Sequence, residues 1–211
     1  VGLGYASKLF RENKELHALE HLSDKGNEVA FGTIGDASTA EGMFFETVNA
    51  SAVLQIPVAI AVWDDGYGIS VTKDLQIAKE SISDALQGFE KKGKNKGIKI
   101  YKARGWNYPE MVDVFKKGIN ACRKDHVPVI FHIDEMVQPF GHSTSGSHER
   151  YKSKERLDWE AEHDPLVKME QWILSEKIAS HNELDQIKDA AVKEAKEAKE
   201  RAWKNYAEPI K

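Results

Sequence analysis

The chain has 211 residues, of which 41% are hydrophobic and 30% charged, and a formal net charge of −4. That length holds one large α/β domain or one domain with an appendage, and the lack of a basic surplus argues against nucleic acid as a partner. A single cysteine, Cys122, excludes an intrachain disulfide framework and any multi-cysteine metal site, and its expected role is packing in a helix. The apolar runs are of strand length, well short of the ~18 residues of a membrane span, so the expected setting is cytoplasmic with no membrane partner.

The chain opens on Val1-Gly2-Leu3-Gly4 without a methionine, and we expect an internal piece of a longer polypeptide. Residues 5–11 read as helix, and Leu9, Leu16, Leu19 and Leu22 continue at helical spacings with a break near Asn13. Ser23 to Asn27 is a turn by composition, and residues 29–34 form a short apolar strand. Next comes a helix that Ser38 or Thr39 is expected to cap, with Glu41 in its first turn and Phe44, Phe45, Val48, Ala52 and Val53 as its apolar positions. Pro57 restarts the chain, and residues 58–63 are apolar throughout, as in a strand covered by helices on both faces.

Further on, residues 75–89 suggest one helix or two short ones, and the basic stretch 91–96 is a solvated loop, because no aromatic residue interleaves with its lysines. Residues 98–101 alternate as a strand, Tyr108-Pro109 opens a helix through Cys122, and 127–133 is another apolar strand. This order of elements predicts an α/β fold with a mostly parallel sheet flanked by helices. Residues 134–151 form a polar loop long enough to reach a site at the sheet's edge. Helices are expected over 166–178 and 184–206. The second steps through Leu184, Ile187, Ala191, Ala195, Ala198, Ala202 and Tyr206, as in a C-terminal arm or docking helix.

Two acidic turns stand where strands end, Gly35-Asp36-Ala37-Ser38 and Asp64-Asp65-Gly66-Tyr67-Gly68. An open parallel sheet binds its ligands beyond the carboxyl ends of its strands. Two carboxylates converging there suit a divalent cation that also holds an anion, or a pair for general acid and base work. Alternatively, each Asp merely shapes its own turn.

The whole pattern resembles the thiamine diphosphate motif of the 2-oxo acid dehydrogenase E1 family, α-subunit type, which opens on Gly-Asp-Gly and closes on Asn-Asn-Gly-Tyr. Gly35-Asp36-Ala37 opens it here, Glu41-Gly42, Glu46 and Asn49 follow, and Asp64-Asp65-Gly66-Tyr67-Gly68-Ile69-Ser70 closes it. The likeness continues through Pro128 to Ile133, Gly141-His142-Ser143-Thr144-Ser145, Tyr151, Trp159 and Asp164-Pro165. It implies a transketolase-like, thiamine diphosphate-binding domain over residues 1–166, without its N-terminal part, and a helical extension or linker over 167–211. It further implies that the side chains of Asp36 and Asp65 and the backbone oxygen of Tyr67 hold Mg²⁺, and that Gly35, Ala37, Ser38 and Ile69 contribute to the cofactor site. The N–H groups of Ala37 and Ser38 would meet the diphosphate. His142 would face the cofactor and the 2-oxo acid, and Ser143 would order the loop.

The activity implied is oxidative decarboxylation of pyruvate or a branched-chain 2-oxo acid, with the acyl group passed to a lipoyl-bearing E2. The partners implied are that E2 and a β-type E1 half, fused or separate, in an oligomer. Three departures stand out. Asp64-Asp65 replaces Asn-Asn, Trp63 stands where some relatives carry an arginine, and Met136-Val137-Gln138-Pro139 replaces a Tyr-Arg that often precedes the His-Ser loop. The added negative charge predicts tighter dependence on the metal, or basic residues supplied from outside the chain. The competing identities are a thiamine diphosphate enzyme of transketolase type and a truncated, non-catalytic interaction domain.

Overall fold

A computed structural model describes residues 1–142 and 148–210. Its strands are β1 Ala30–Gly35, β2 Val58–Trp63, the short hairpin β3 Tyr67–Gly68 and β4 Val71–Thr72, β5 Lys99–Arg104 and β6 Val129–Asp134. Its helices are α1 Gly2–Glu12, α2 Gly42–Leu54, α3 Ile82–Ala85, α4 Tyr108–Asp125, α5 Lys154–Glu162, α6 Pro165–Ser175 and α7 His181–Ala207. By contact density the chain divides into two units, Val1–Pro165 and Leu166–Lys211.

In the first unit the four long strands form one sheet in the order β1-β2-β6-β5, every pair parallel. The apolar strand β2 and the largely apolar strand β6 take the two central places, where both faces are covered. Side chains alternate between two cores. Val62 and Ile130 meet Phe44, Val48 and Ala52 of α2 together with Ile82, Leu86 and Ile98. On the other face, Ala59, Ala61, Phe131 and Ile133 meet Cys122, Phe115 and Ile119 of α4. Cys122 is a buried packing residue, as expected, and burial pushes its thiol up to about 12.

Local sequence accounts for α4 well. Asn107 accepts the N–H of Glu110 at 3.2 Å as the N-cap, Pro109 sits in the first turn, and Arg123 and Lys124 lie in the last. Elsewhere the structure corrects the sequence. The chain after Asp36 makes a 3-10 turn, Ala37–Ala40, and α2 starts only at Gly42 with Glu41 as its N-cap residue. Neither Ser38 nor Thr39 caps that helix; the Thr39 hydroxyl donates to the carbonyl of Asp36 instead. Within residues 75–89 the α-helix is reduced to α3, because Lys79 and Glu80 take left-handed backbone angles (φ 62° and 54°) that no helix can contain. α1 ends at Glu12, followed by a 3-10 turn Lys14–Ala18, so the helical spacing of Leu19 and Leu22 leaves both exposed.

The second unit carries α6 from its second residue onward and all of α7. Ser180 and Glu183 form a capping box at the start of α7, and Lys188 pairs with Glu170 of α6 at 2.8 Å. Leu184 is buried, whereas Ile187, Val192, Trp203 and Tyr206 are exposed. Among the described residues no helix is long and apolar enough to cross a membrane.

Gly118 lies directly against the Phe131 ring, so an added methyl group would overlap it. Gly118→Ala is therefore expected to destabilise the protein by roughly 1–3 kcal/mol despite the better helix propensity of alanine, as read by urea denaturation.

Candidate functional site

Strand register builds the site. β1 and β2 run side by side with Gly35 opposite Trp63, so the turns that follow them emerge next to each other at the carboxyl edge of the sheet. Backbone pairing continues past the strand ends. Asp36 donates to the Trp63 carbonyl at 3.0 Å, Asp64 to the Ile133 carbonyl at 2.8 Å, and Met136 to the Asp64 carbonyl at 2.9 Å. Three carboxylates are thereby buried together: Asp36, Asp64 and Asp65 are 3%, 1% and 9% exposed.

These three are not equivalent. Asp64 is saturated: Oδ1 accepts the Gly66 N–H at 2.9 Å, and Oδ2 accepts from His132 Nε2 at 2.8 Å and Lys73 Nζ at 3.2 Å. Burial would raise its pKa, but the His132 hydrogen bond and Lys73 outweigh that and hold the carboxyl below its usual range. By contrast, Asp36 Oδ2 and Asp65 Oδ2 are buried with no hydrogen-bond partner among the described residues. Burial, then the charges of Asp64 and Asp65, push Asp36 up to about 7, against the partial offset of the Ala37 N–H. Asp65 is also raised, mainly by burial, although its Oδ1 accepts the Tyr67 N–H at 3.1 Å.

The carboxylates of Asp36 and Asp65 belong to a cavity of about 250 Å³, also lined by Gly35, Trp63, Met136, Val137, Gln138 and His142. His142 Nε2 stands 3.7 Å from Asp65 Oδ2. All three departures from the family pattern thus cluster here. Trp63, Met136, Val137 and Gln138 are walls of this cavity, and Asp64 lies just behind it.

Positive charge stands behind the turn that carries Asp65. Arg156 of α5 donates to the Asp65 carbonyl at 3.0 Å and to Glu160 Oε1 at 2.7 Å, with its guanidinium 5.6 Å from the Tyr67 ring centroid. Lys152, fully buried, pairs with Glu160 at 2.8 Å and lies 5.1 Å from the same ring. The hairpin β3–β4 is held close to the first turn, since a Cβ on Gly68 would sit 2.9 Å from the Ala37 Cβ.

Of the residues singled out from sequence, Gly35, Asp36, Asp65 and His142 come together at the cavity. Ala37, Ser38 and Tyr67 flank it on the two turns, Ala37 and Ser38 in the 3-10 turn rather than at the start of α2. Ile69 is not in the cavity lining; it occupies the hairpin tip with φ 60° and is 65% exposed. Ser143 lies outside the described residues. Sequence reasoning missed Lys73, His132 and Ser83, whose hydroxyl is 2.9 Å from His132 Nδ1. The available signal was a lone histidine inside the apolar run of β6, where a polar group must find a partner. Asp64, His132 and Asp134 cluster tightly enough to hold a metal ion, but the Lys73 ammonium, 3.2 Å from Asp64 and 3.7 Å from Asp134, already supplies positive charge there.

A parallel α/β sheet with a buried acidic site beyond its carboxyl edge defines the class of fold, and comparison supplies the family. Residues 2–211 match the family model described as Dehydrogenase E1 component. The chain is 27% identical over 174 residues to a pyruvate dehydrogenase E1 component subunit alpha of Rickettsia bellii, covering 82% of this chain and 51% of that protein. It is 29% identical over 198 residues to a 2-oxoisovalerate dehydrogenase subunit alpha of Bacillus subtilis, covering 91% and 56%. With the mitochondrial 2-oxoisovalerate dehydrogenase subunit alpha 1 of Arabidopsis thaliana it shares 24% over 212 residues, covering 100% and 40%. The chain belongs to the dehydrogenase E1 component family, as an α-type member, and spans about half the length of the curated relatives it matches.

An acid whose folded pKa is raised stabilises the fold at low pH relative to high pH. The ion-free protein therefore loses stability as pH rises from about 4, where the unfolded chain ionises, to about 7, where native Asp36 does, and levels off above that. Asp36→Asn removes that charge and is expected to stabilise the ion-free protein at pH 8, by on the order of 2 kcal/mol or more, with the difference shrinking towards zero below about pH 4. Thermal melts at the two pH values check this.

Proposed function

We propose that the cavity is the diphosphate end of a thiamine diphosphate site, with Mg²⁺ between Asp36 and Asp65. The observation that carries this reading is the pair of buried carboxylate oxygens, Asp36 Oδ2 and Asp65 Oδ2, with no hydrogen-bond donor among the described residues. Buried charges of one sign call for a counter-ion, and hard carboxylate oxygens suit magnesium. The backbone oxygen of Tyr67 completes the protein's ligands in this reading, and Gly35 and the N–H groups of Ala37 and Ser38 border the diphosphate. Ile69 extends the same contact from the hairpin tip.

The charge balance explains why the metal is indispensable. The cavity's walls are apolar apart from the two carboxylates, Gln138 and His142, so an anion would meet net repulsion without a cation. The departures at Trp63 and Met136-Val137-Gln138-Pro139 remove cationic side chains that would share this task. His142, which borders the cavity, would face the 2-oxo acid and steady developing negative charge.

When bound, thiamine diphosphate supplies an electron sink for loss of CO₂ from a 2-oxo acid. In this proposal the chain is the α-type part of an E1 that decarboxylates pyruvate or a branched-chain 2-oxo acid and hands the acyl group to the lipoyl arm of E2. The names of the relatives support both substrate classes. A β-type half, fused or separate, completes the site in an oligomeric enzyme. This chain's own work is to grip the ion, orient the diphosphate and keep the reacting centre away from bulk water.

Calorimetry with Mg²⁺ and thiamine diphosphate on the chain assembled with its β-type half tests the assignment. Asp36→Ala and Asp65→Ala are each expected to abolish measurable binding, and retained binding in both would refute it. Because a proton and the ion compete for Asp36, ion affinity is expected to rise up to about tenfold per pH unit below about 7 and to level off above it. His142→Ala is expected to keep ion affinity and lower turnover by about 10²-fold or more, read in a 2-oxo acid assay with an artificial electron acceptor.

A further inference from the structure

Asp64 poses a problem that the cofactor reading leaves open. Asparagine at this position would be neutral, whereas a third carboxylate beside the ion would give it two opposite effects. It would bind the cation more tightly, and it would turn a neutral assembly of one divalent ion and two carboxylates into a net anion that repels a diphosphate.

The geometry disposes of that charge. The carboxylate of Asp64 accepts from Gly66 N–H at 2.9 Å and His132 Nε2 at 2.8 Å, and from Lys73 Nζ at 3.4 Å on Oδ1 and 3.2 Å on Oδ2. A carboxylate only accepts, so His132 presents its Nε2–H to Asp64, and Ser83 fixes the opposite ring nitrogen at 2.9 Å. The Lys73 ammonium also reaches Asp134 at 3.7 Å. Every side chain of this set except Asp134 is 29% exposed or less, so the pairing is only weakly screened by solvent. Asp64 is accordingly absent from the cavity lining, while its neighbours Trp63 and Asp65 are part of it.

We propose that Lys73 is a positioning residue of the cation site: it neutralises Asp64 and holds it out of the cavity, so that the ion is gripped by two carboxylates and keeps charge and coordination positions for a diphosphate. An aspartate paired with this lysine then serves electrostatically as a neutral asparagine would. The inference rests on the reading of Asp36 and Asp65 as ligands of the ion.

The test is a double-mutant cycle on the full chain assembled with its β-type half. Mn²⁺ affinity is read by electron paramagnetic resonance, and thiamine diphosphate affinity by calorimetry at saturating Mn²⁺. Lys73→Met is expected to bind Mn²⁺ about tenfold more tightly and thiamine diphosphate about tenfold more weakly, the size usual for outer-shell partners of a metal. Asp64→Asn is expected to weaken Mn²⁺, and Lys73→Met/Asp64→Asn to bring both affinities back to within about threefold of the wild type. Opposite signs for the two ligands are what a merely structural lysine would not produce. Equal signs, no change in Lys73→Met, or no rescue in the double variant overturn the proposal. If Lys73→Met does not fold, the neutral double variant and Asp64→Asn decide, and an Asp64→Asn indistinguishable from wild type for Mn²⁺ overturns it. Wild-type protein with no Mn²⁺ binding that Asp36→Asn removes would instead sink the cation site itself, and this inference with it.

Discussion

Three carboxylates share one buried corner at the carboxyl edge of the sheet, and the surrounding structure is arranged to make that tolerable. Each would be costly alone in a medium that solvates charge poorly. One is neutralised within the protein by Lys73 and His132, and two are left with bare oxygens facing a cavity. The asymmetry is informative. A fold built only for stability would satisfy all three or replace them with apolar side chains, and strain kept at a specific place is characteristic of functional sites.

The sheet makes the corner possible. Apolar β2 and largely apolar β6 occupy its centre, and two cores on opposite faces fix both strands in register. Because the register is fixed, the turns after β1 and β2 have one relative placement, and Asp36, Asp64 and Met136 are joined by backbone hydrogen bonds that continue the ladder. α5 reinforces the arrangement from outside: Arg156 grips the Asp65 carbonyl, and Lys152 and Arg156 flank the Tyr67 ring.

Membership of the dehydrogenase E1 component family gives the corner a chemical context, and the departures from the family pattern gain a common meaning. Trp63, Met136, Val137 and Gln138 all stand on the same cavity wall. Lys73, Lys152 and Arg156 surround the acidic turn. They lie behind the carboxylates, where they fix the turn and neutralise Asp64, while the cavity itself stays acidic. That division separates holding the site in shape from the attraction of an anion, which in the proposed reading falls to a cation.

The sequence alone determined the strands of the sheet, the parallel α/β class and the placement of Asp36, Asp65 and His142, because apolar runs, turn residues and a spaced motif are local signals. It misjudged the start of α2 and the stretch 75–89, where left-handed residues and packing override periodicity. Only the tertiary structure decided which acidic residues are satisfied and which are bare. Lys73 and His132 reach Asp64 from β4's end and from the neighbouring strand β6, and no spacing along the chain encodes a hydrogen bond between residues 68 positions apart. Charge is written in the sequence, but whether a charge is answered is settled by what the fold brings beside it.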